Sequence, residues 1–162
     1  MKIGKYCEIA EDFKFGENFK CGSFVKIEPD VIVGNNVIIE NFVLLKSGTR
    51  IGDNVFIDSY VRSSGNNSIG NNVTLRFGST IAREVKIEDD VFISPNVMTI
   101  YSKHTGEKLG GTVIGKGTYV GTNAVIGPGV KIAPNSIIGA MAYIDKDCKY
   151  EGVYIGIPAY KK

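Results

Sequence analysis

The chain has 162 residues, enough for one domain with a continuous core. Ile and Val together number 37 against 11 for Leu and Ala, with 20 Gly and 12 Asn, a composition that excludes a helical bundle. Nineteen basic residues against 17 acidic ones leave a net charge of +2, which excludes nucleic acid or an anionic membrane as a partner drawn by charge. No apolar run approaches the roughly 20 residues of a membrane span, and no signal-peptide h-region opens the chain. The three cysteines, Cys7, Cys21 and Cys148, form no CxxC pair and suit a reducing compartment. The expectation is a cytoplasmic, all-β protein with a single domain over residues 1–162.

From Ile3 the sequence steps in sixes: Ile3, Ile9, Phe15, Cys21, Ile27, Val33, Ile39, Leu45, Ile51, Ile57, Ser63, Ile69, Leu75, Ile81, Ile87, Ile93, Thr99. The phase breaks there and resumes as Ile114, Val120, Ile126, Ile132, Ile138, Ile144. Only Ser63 and Thr99 depart from an apolar residue. A period of six is neither the 3.6 of a helix nor an alternation of two; it describes a short strand and a corner, repeated. The third residue after each start is Asn, Asp or Gly at 16 of 22 places, the residues that tolerate a positive φ at low cost. Tyr6, Phe24, Phe42 and Tyr60 recur every 18 residues, as do Asn18, Asn36, Asn54, Asn72 and Asp90. Three hexapeptides therefore close one triangular coil. Seven to eight coils rising about 4.8 Å each predict a prism roughly 35 Å long.

The fifteen residues Thr99 to Val113 do not divide by six. If the coil runs on through His104, the nine residues TGEKLGGTV (105–113) loop out, and a short tail (150–162) follows the last coil. His104 is the only histidine and stands at the mouth of that loop, and loops on rigid frames are where chemistry tends to be placed. The cysteines fall on inward positions, where packing is expected rather than reactivity. GGTVIGKG (110–117) nearly spells a phosphate-binding loop, but Gly117 occupies the place of the Mg²⁺-binding hydroxyl. GPGVKI (127–132) lacks the third glycine and the helix of a dinucleotide fingerprint.

The hexapeptide register over nearly the whole chain resembles the hexapeptide-repeat family, which implies a left-handed parallel β-helix with one extruded loop. ISPNVMTIYSKH (93–104) is similar to the segment leading to the catalytic histidine of sugar O-acetyltransferases of the galactoside and maltose type. Residues 114–147 resemble their acetyl-CoA-binding coils, and GIPA (156–159) their G-x-P-A ending. The resemblance implies an acetyl-CoA-dependent O-acetyltransferase acting on a sugar or saccharide by direct transfer. His104 would be its general base, and the Thr122 backbone amide its oxyanion donor. Gly121, Ala140 and Ala142 would give the small surface on which the coenzyme lies, with Lys146, Lys161 and Lys162 near it. It also implies a homotrimer with sites between subunits, in which no metal takes part. The acceptor asparagine of that type finds no counterpart in TLRFGST (74–80). Polysaccharide-biosynthesis enzymes that N-acetylate amino nucleotide-sugars share this design, as do non-enzymatic β-helix scaffolds. A γ-type carbonic anhydrase needs three zinc-binding histidines, which one His per chain cannot supply.

Overall fold

The computed structural model describes residues 2–162. Each strand from Lys2–Ile3 to Tyr143–Ile144 is two residues long, and successive strands fall in turn on three parallel sheets, of ten, eight and seven strands. They are called here sheets 1, 2 and 3. Residue i pairs with i+18, as in Lys2↔Lys20, Ile57↔Leu75 and Arg62↔Thr80. Eighteen residues therefore make one turn of a three-sided prism, and eight turns are stacked. Across the interruption the offset becomes 27, as in Lys86↔Val113, Phe92↔Tyr119 and Met98↔Val125, so nine residues leave the coil and the register resumes unchanged. The final turn is two residues short, with Ile137↔Val153. The expected tail is ordered: Val153–Gly156 and Ala159–Lys161 form an antiparallel hairpin at the end of sheet 1.

The corners explain the composition. The third residue of every hexapeptide has a positive φ, Asp12 and Asp147 excepted, from 51° at Asn66 to 76° at Gly48. Tyr6, Phe24, Phe42, Tyr60, Glu84 and Met141 adopt it too, although their side chains do not favour it. For such residues the left-handed conformation costs about 1–2 kcal/mol each. The four aromatics stack in one column, with ring centroids 5.1, 4.9 and 4.9 Å apart. Each pair contributes about 0.5–1.5 kcal/mol, which offsets the backbone strain only in part.

Ile, Leu and Val at the first and fifth positions of the hexapeptide face inward and form one continuous core, each burial contributing about 1.5–3 kcal/mol. Cys21 and Cys148 are buried and Cys7 half-buried, all three as free thiols. Burial pushes the Cys21 and Cys148 thiols up to about 11, so they are protonated packing residues. Among the described residues no helix is long and apolar enough to cross a membrane.

Candidate active site

The prism has three edges of different chemistry. The first edge, from sheet 1 to sheet 2, carries the aromatic column and, in the seventh turn, Gly121, Thr122 and Asn123. The third edge, from sheet 3 to sheet 1, carries an asparagine column. Asn18, Asn36, Asn54 and Asn72 each donate from Nδ2 to Oδ1 of the residue 18 further on, at 2.9, 3.0, 3.2 and 2.9 Å, ending on Asp90. Lys116 Nζ, at 3.3 Å from Asp90 Oδ2, closes that column. The second edge, from sheet 2 to sheet 3, is where the coil is interrupted.

The interruption is a small hairpin. Ser102 and Lys108 form an antiparallel bridge, Lys103 N donates to Glu107 O at 2.9 Å, and Lys103 Nζ meets Glu107 Oε2 at 2.9 Å. The extruded segment thus begins at Tyr101, ahead of the expected 105–113, and Val113 already belongs to the next strand. His104 lies in the hairpin turn, exposed at its tip rather than at its mouth. The six-residue period could not reveal this, because cross-hairpin pairing follows its own register.

The hairpin base is held from both sides. Tyr101 Oη donates to Glu84 Oε1 at 3.2 Å, and a Cβ on Gly110 would run into the other oxygen of the same carboxylate. One turn beyond, Leu109 lies so close to Gly129 that a Cβ there would stand 2.8 Å from Leu109 O and 3.1 Å from Leu109 Cβ. Burial and the neighbouring Glu84 carboxylate push the Tyr101 hydroxyl above its ordinary pKa.

Beneath the same edge the core turns polar. Asn67 is 1% exposed; its Oδ1 accepts from Ser63 Oγ and from Gly65 N (3.2 Å), and its Nδ2 donates to Ala82 O. Gly65 N also reaches Ser63 Oγ at 3.2 Å. Thr99 Oγ1 accepts from Ala82 N at 2.7 Å. Ser63 and Thr99, the two inward departures from the apolar register, therefore rebuild the backbone bonds of a distorted edge below the hairpin. Asn67, Glu84 and Tyr101 escaped sequence reasoning. Asn67 left a signal, since it is the only Asn at the hexapeptide position that Val fills most often.

Thr122 has a different setting. On this edge the amide at the same corner position is capped by the side chain 18 residues on in the first two turns, Lys5 N by Ser23 at 3.0 Å and Ser23 N by Asn41 at 2.7 Å; on the third edge Asp53 N is capped by Asn71 at 2.8 Å and Asn71 N by Asp89 at 2.7 Å. Above Thr122 stands Ala140, which has no acceptor to offer, so the Thr122 N–H receives no such cap. Its carbonyl is engaged by Met141 N at 2.9 Å. The exposed Ala140 leaves this corner open toward solvent.

The other expected coenzyme residues part company. A Cβ on Gly121 would sit 2.5 Å from Ala140 N, so its missing side chain serves the stacking of turns. Ala142 is buried with its methyl in the core and offers no surface to a ligand, as its inward place in the register dictates. Lys146 is exposed on the second edge, away from Gly121 and Thr122. Lys161 lies in the terminal hairpin with its Nζ 5.7 Å from the centre of the Tyr150 ring. Within one chain His104 and Thr122 occupy different edges. Among the described residues no group of three or more His, Cys, Asp or Glu could hold a metal ion.

Two family models account for residues 3–146: the GMPPB C-terminal domain matches 3–110, and the bacterial transferase hexapeptide (six repeats) matches 111–146. The longer match covers two thirds of the chain, which belongs to the GMPPB C-terminal domain family; hexapeptide repeats of the bacterial transferase type continue it, and the two matches meet inside the hairpin segment. No curated protein sequence matches this hexapeptide-repeat chain. Among solved structures it is similar to UDP-N-acetylglucosamine acyltransferase from Campylobacter jejuni, at 20% identity and TM-score 0.78, covering 99% of this chain and 74% of that one. It is similar to the acetyltransferase domain of PglB from Neisseria gonorrhoeae in complex with acetyl coenzyme A, at 17% identity and TM-score 0.58, over 97% and 58%. A mutant perosamine N-acetyltransferase from Caulobacter crescentus, in complex with CoA and GDP-perosamine, matches at 16% identity and TM-score 0.58, over 97% and 53%. The chain spans little more than half the length of the last two. These likenesses show the fold, a left-handed parallel β-helix.

Proposed function

We propose that this protein is an acetyl-CoA-dependent acyltransferase that moves an acetyl group onto a hydroxyl of a sugar or saccharide. The observation that carries the reading is the hairpin: a regular coil is opened once, and the segment it releases bears the only imidazole. A sugar hydroxyl is too weakly acidic to attack a thioester unaided at pH 7. His104 would take the hydroxyl proton as the O–C bond forms, an assistance of typically 10²–10⁴-fold. The C–S bond then breaks, and the proton passes from the imidazole to the departing thiolate. Negative charge gathers on the thioester oxygen in between, where a preorganised N–H is needed. The Thr122 N–H, left without a side-chain cap by Ala140, suits that role.

The coenzyme would lie along the first edge of the turns that follow the hairpin, its uncharged, amide-rich arm against Thr122 and Ala140. Lys146 and Lys161 are exposed cations that would meet its phosphates as point charges. Because the imidazole and the amide stand on different edges, one site takes one group from each of two chains, and a homotrimer closes three such sites. A cytoplasmic setting suits the three free thiols. Transfer to the amino group of a nucleotide-sugar is the second reading, favoured by the likeness to perosamine N-acetyltransferase; it needs the same base and the same oxyanion donor. A purely structural β-helix is the third.

The test is thiol release from acetyl-CoA across a panel of sugars, amino-sugars and nucleotide-sugars, with His104→Ala beside the wild type. We expect one acceptor class to drive release, and the variant to lose about 10²–10⁴-fold in rate with an unchanged circular-dichroism spectrum. A folded variant at the wild-type rate overturns the mechanism.

A further inference from the structure

We infer that Glu84 and Tyr101 form a clamp that fixes where the hairpin presents His104, and that both are positioning residues for the proton transfer. The inference rests on the acyltransfer proposed above and adds to it the contacts that aim its base. Glu84 reaches both limbs of the hairpin. Its Oε1 accepts from Tyr101 Oη at 3.2 Å on the outgoing limb, and its Oε2 fills the space that a side chain on Gly110 would need on the returning limb. Tyr101 is anchored in turn, with its ring packed against the core. From this clamp a series of backbone bonds climbs to the tip. Leu109 N donates to Tyr101 O at 3.3 Å, Ser102 bridges Lys108, Lys103 N donates to Glu107 O at 2.9 Å and Gly106 N to Lys103 O at 2.9 Å. His104 lies inside the turn that the last bond closes.

Glu84 is a costly choice for its own corner. It holds φ 61°, while the other left-handed corners of the second edge are Asp30, Gly48, Asn66 and Gly129, residues that tolerate that region more easily. A glycine would relax this corner. Among the described residues the one side-chain hydrogen bond of Glu84 is the bond to Tyr101, so the strained backbone serves the hairpin and not the coil. Strain kept in this way points to a function of the segment it supports. The leverage is large, because three extended residues put His104 roughly 10 Å from Tyr101. A tilt of about 10° at the base would carry the imidazole by about 2 Å, and a misplacement of about 1 Å costs on the order of 10²-fold in rate. Contacts on both limbs resist that tilt.

The experiment compares Tyr101→Phe, Glu84→Gly and Glu84→Gln with the wild type, in transfer to the acceptor that drives thiol release. Phe keeps the packed ring and loses only the hydroxyl. Gly removes clamp and strain together, whereas Gln keeps an oxygen that accepts from Tyr101. The Phe and Gly variants should lose about 10–100-fold in kcat, with KM for acetyl-CoA within about twofold of the wild type, and Gln should recover most of the rate. A wild-type kcat in Tyr101→Phe, an unrescued Glu84→Gln, or a loss carried by KM overturns the positioning role. Hydrogen exchange tests the clamp without substrate: the amides of Lys103, Gly106 and Leu109 should exchange about tenfold faster in Tyr101→Phe. Unchanged exchange overturns the clamp, and faster exchange with an unchanged kcat leaves a structural latch and overturns the positioning. If no acceptor drives thiol release from the wild type, the acyltransfer reading fails and takes the positioning role with it, while exchange alone decides the clamp.

Discussion

The second and third edges of the prism solve the same problem in opposite ways. Each turns the chain once per coil, with a left-handed residue throughout the third edge and in every coil of the second except those of Asp12, Asp147 and the hairpin. The third edge repeats one solution: an exposed Asn takes the strained φ, and its carboxamide bonds to the next. Each turn depends only on its neighbours, as expected of a quasi-one-dimensional array. The second edge has no such column. Near the hairpin its hydrogen bonds run inward, through Ser63, Asn67 and Thr99, while exposed caps on Asp30 N and Ser47 N are confined to its first coils, and its outer surface carries the hairpin. Regularity makes an edge robust but featureless, and the edge that bears the hairpin is stabilised from within the core.

If that contrast holds, the largest effect comes from breaking the inward network. Asn67→Ala leaves Ala82 O, in the buried core, without its donor and strips one acceptor from Gly65 N. The expected loss is about 2–4 kcal/mol, a fall in Tm of roughly 5–12 °C for a chain of this size, measured by calorimetry. A loss under 1 kcal/mol would mean that the polar core does not hold the second edge.

The sequence made the two edges unequally legible. The six-residue phase marks every coil, and the 18-residue recurrence of Asn18, Asn36, Asn54 and Asn72 states the third edge outright. Tyr6 and Phe24 conform to the same φ although composition alone would not place them there, because position in the coil overrides residue preference. The nine-residue excess was countable too. Its location was not, because Ser102 and Lys108 pair by hairpin rules outside the period, and so His104 is found at the tip. Thr122 and Ala140 gain their meaning together. An alanine looks merely small in sequence, yet 18 residues after Thr122 it marks a missing cap. Glu84 carried no signal at all: its contact with Tyr101 spans the interruption, where register stops predicting neighbours.

A smaller effect should follow on the third edge. Asn54 holds φ 57°, accepts from Asn36 and donates to Asn72. Asn54→Ala loses both bonds and the local tolerance for that φ, at about 1–2 kcal/mol. Because the site is exposed, water replaces the lost partners, so the cost should fall below that of Asn67→Ala under the same conditions. Equal losses at the two asparagines would erase the distinction between an edge held by exposed neighbours and one held by a buried network.

The smallest effect is expected where the asparagine column ends in a charge. Asp90 accepts from Asn72 Nδ2 and faces Lys116, and these partners hold its carboxyl below the usual carboxylate value. A carboxyl whose folded-state pKa is depressed contributes stability that is present above its unfolded value, near 3.9, and lost as pH falls through the folded one. The end of the third edge should therefore weaken on the acid side of pH 4 and stay constant above it. Asp90→Asn keeps an acceptor for Asn72 while removing the charge, so it should flatten this part of the acid limb of a Tm–pH curve and leave neutral-pH stability nearly unchanged. Because the group is exposed, the effect should shrink further with added salt. An acid limb identical in the variant and the wild type would show that the column ends on a hydrogen bond alone. The third edge would then owe nothing to electrostatics, and its contrast with the second would lie wholly in where the hydrogen bonds are buried.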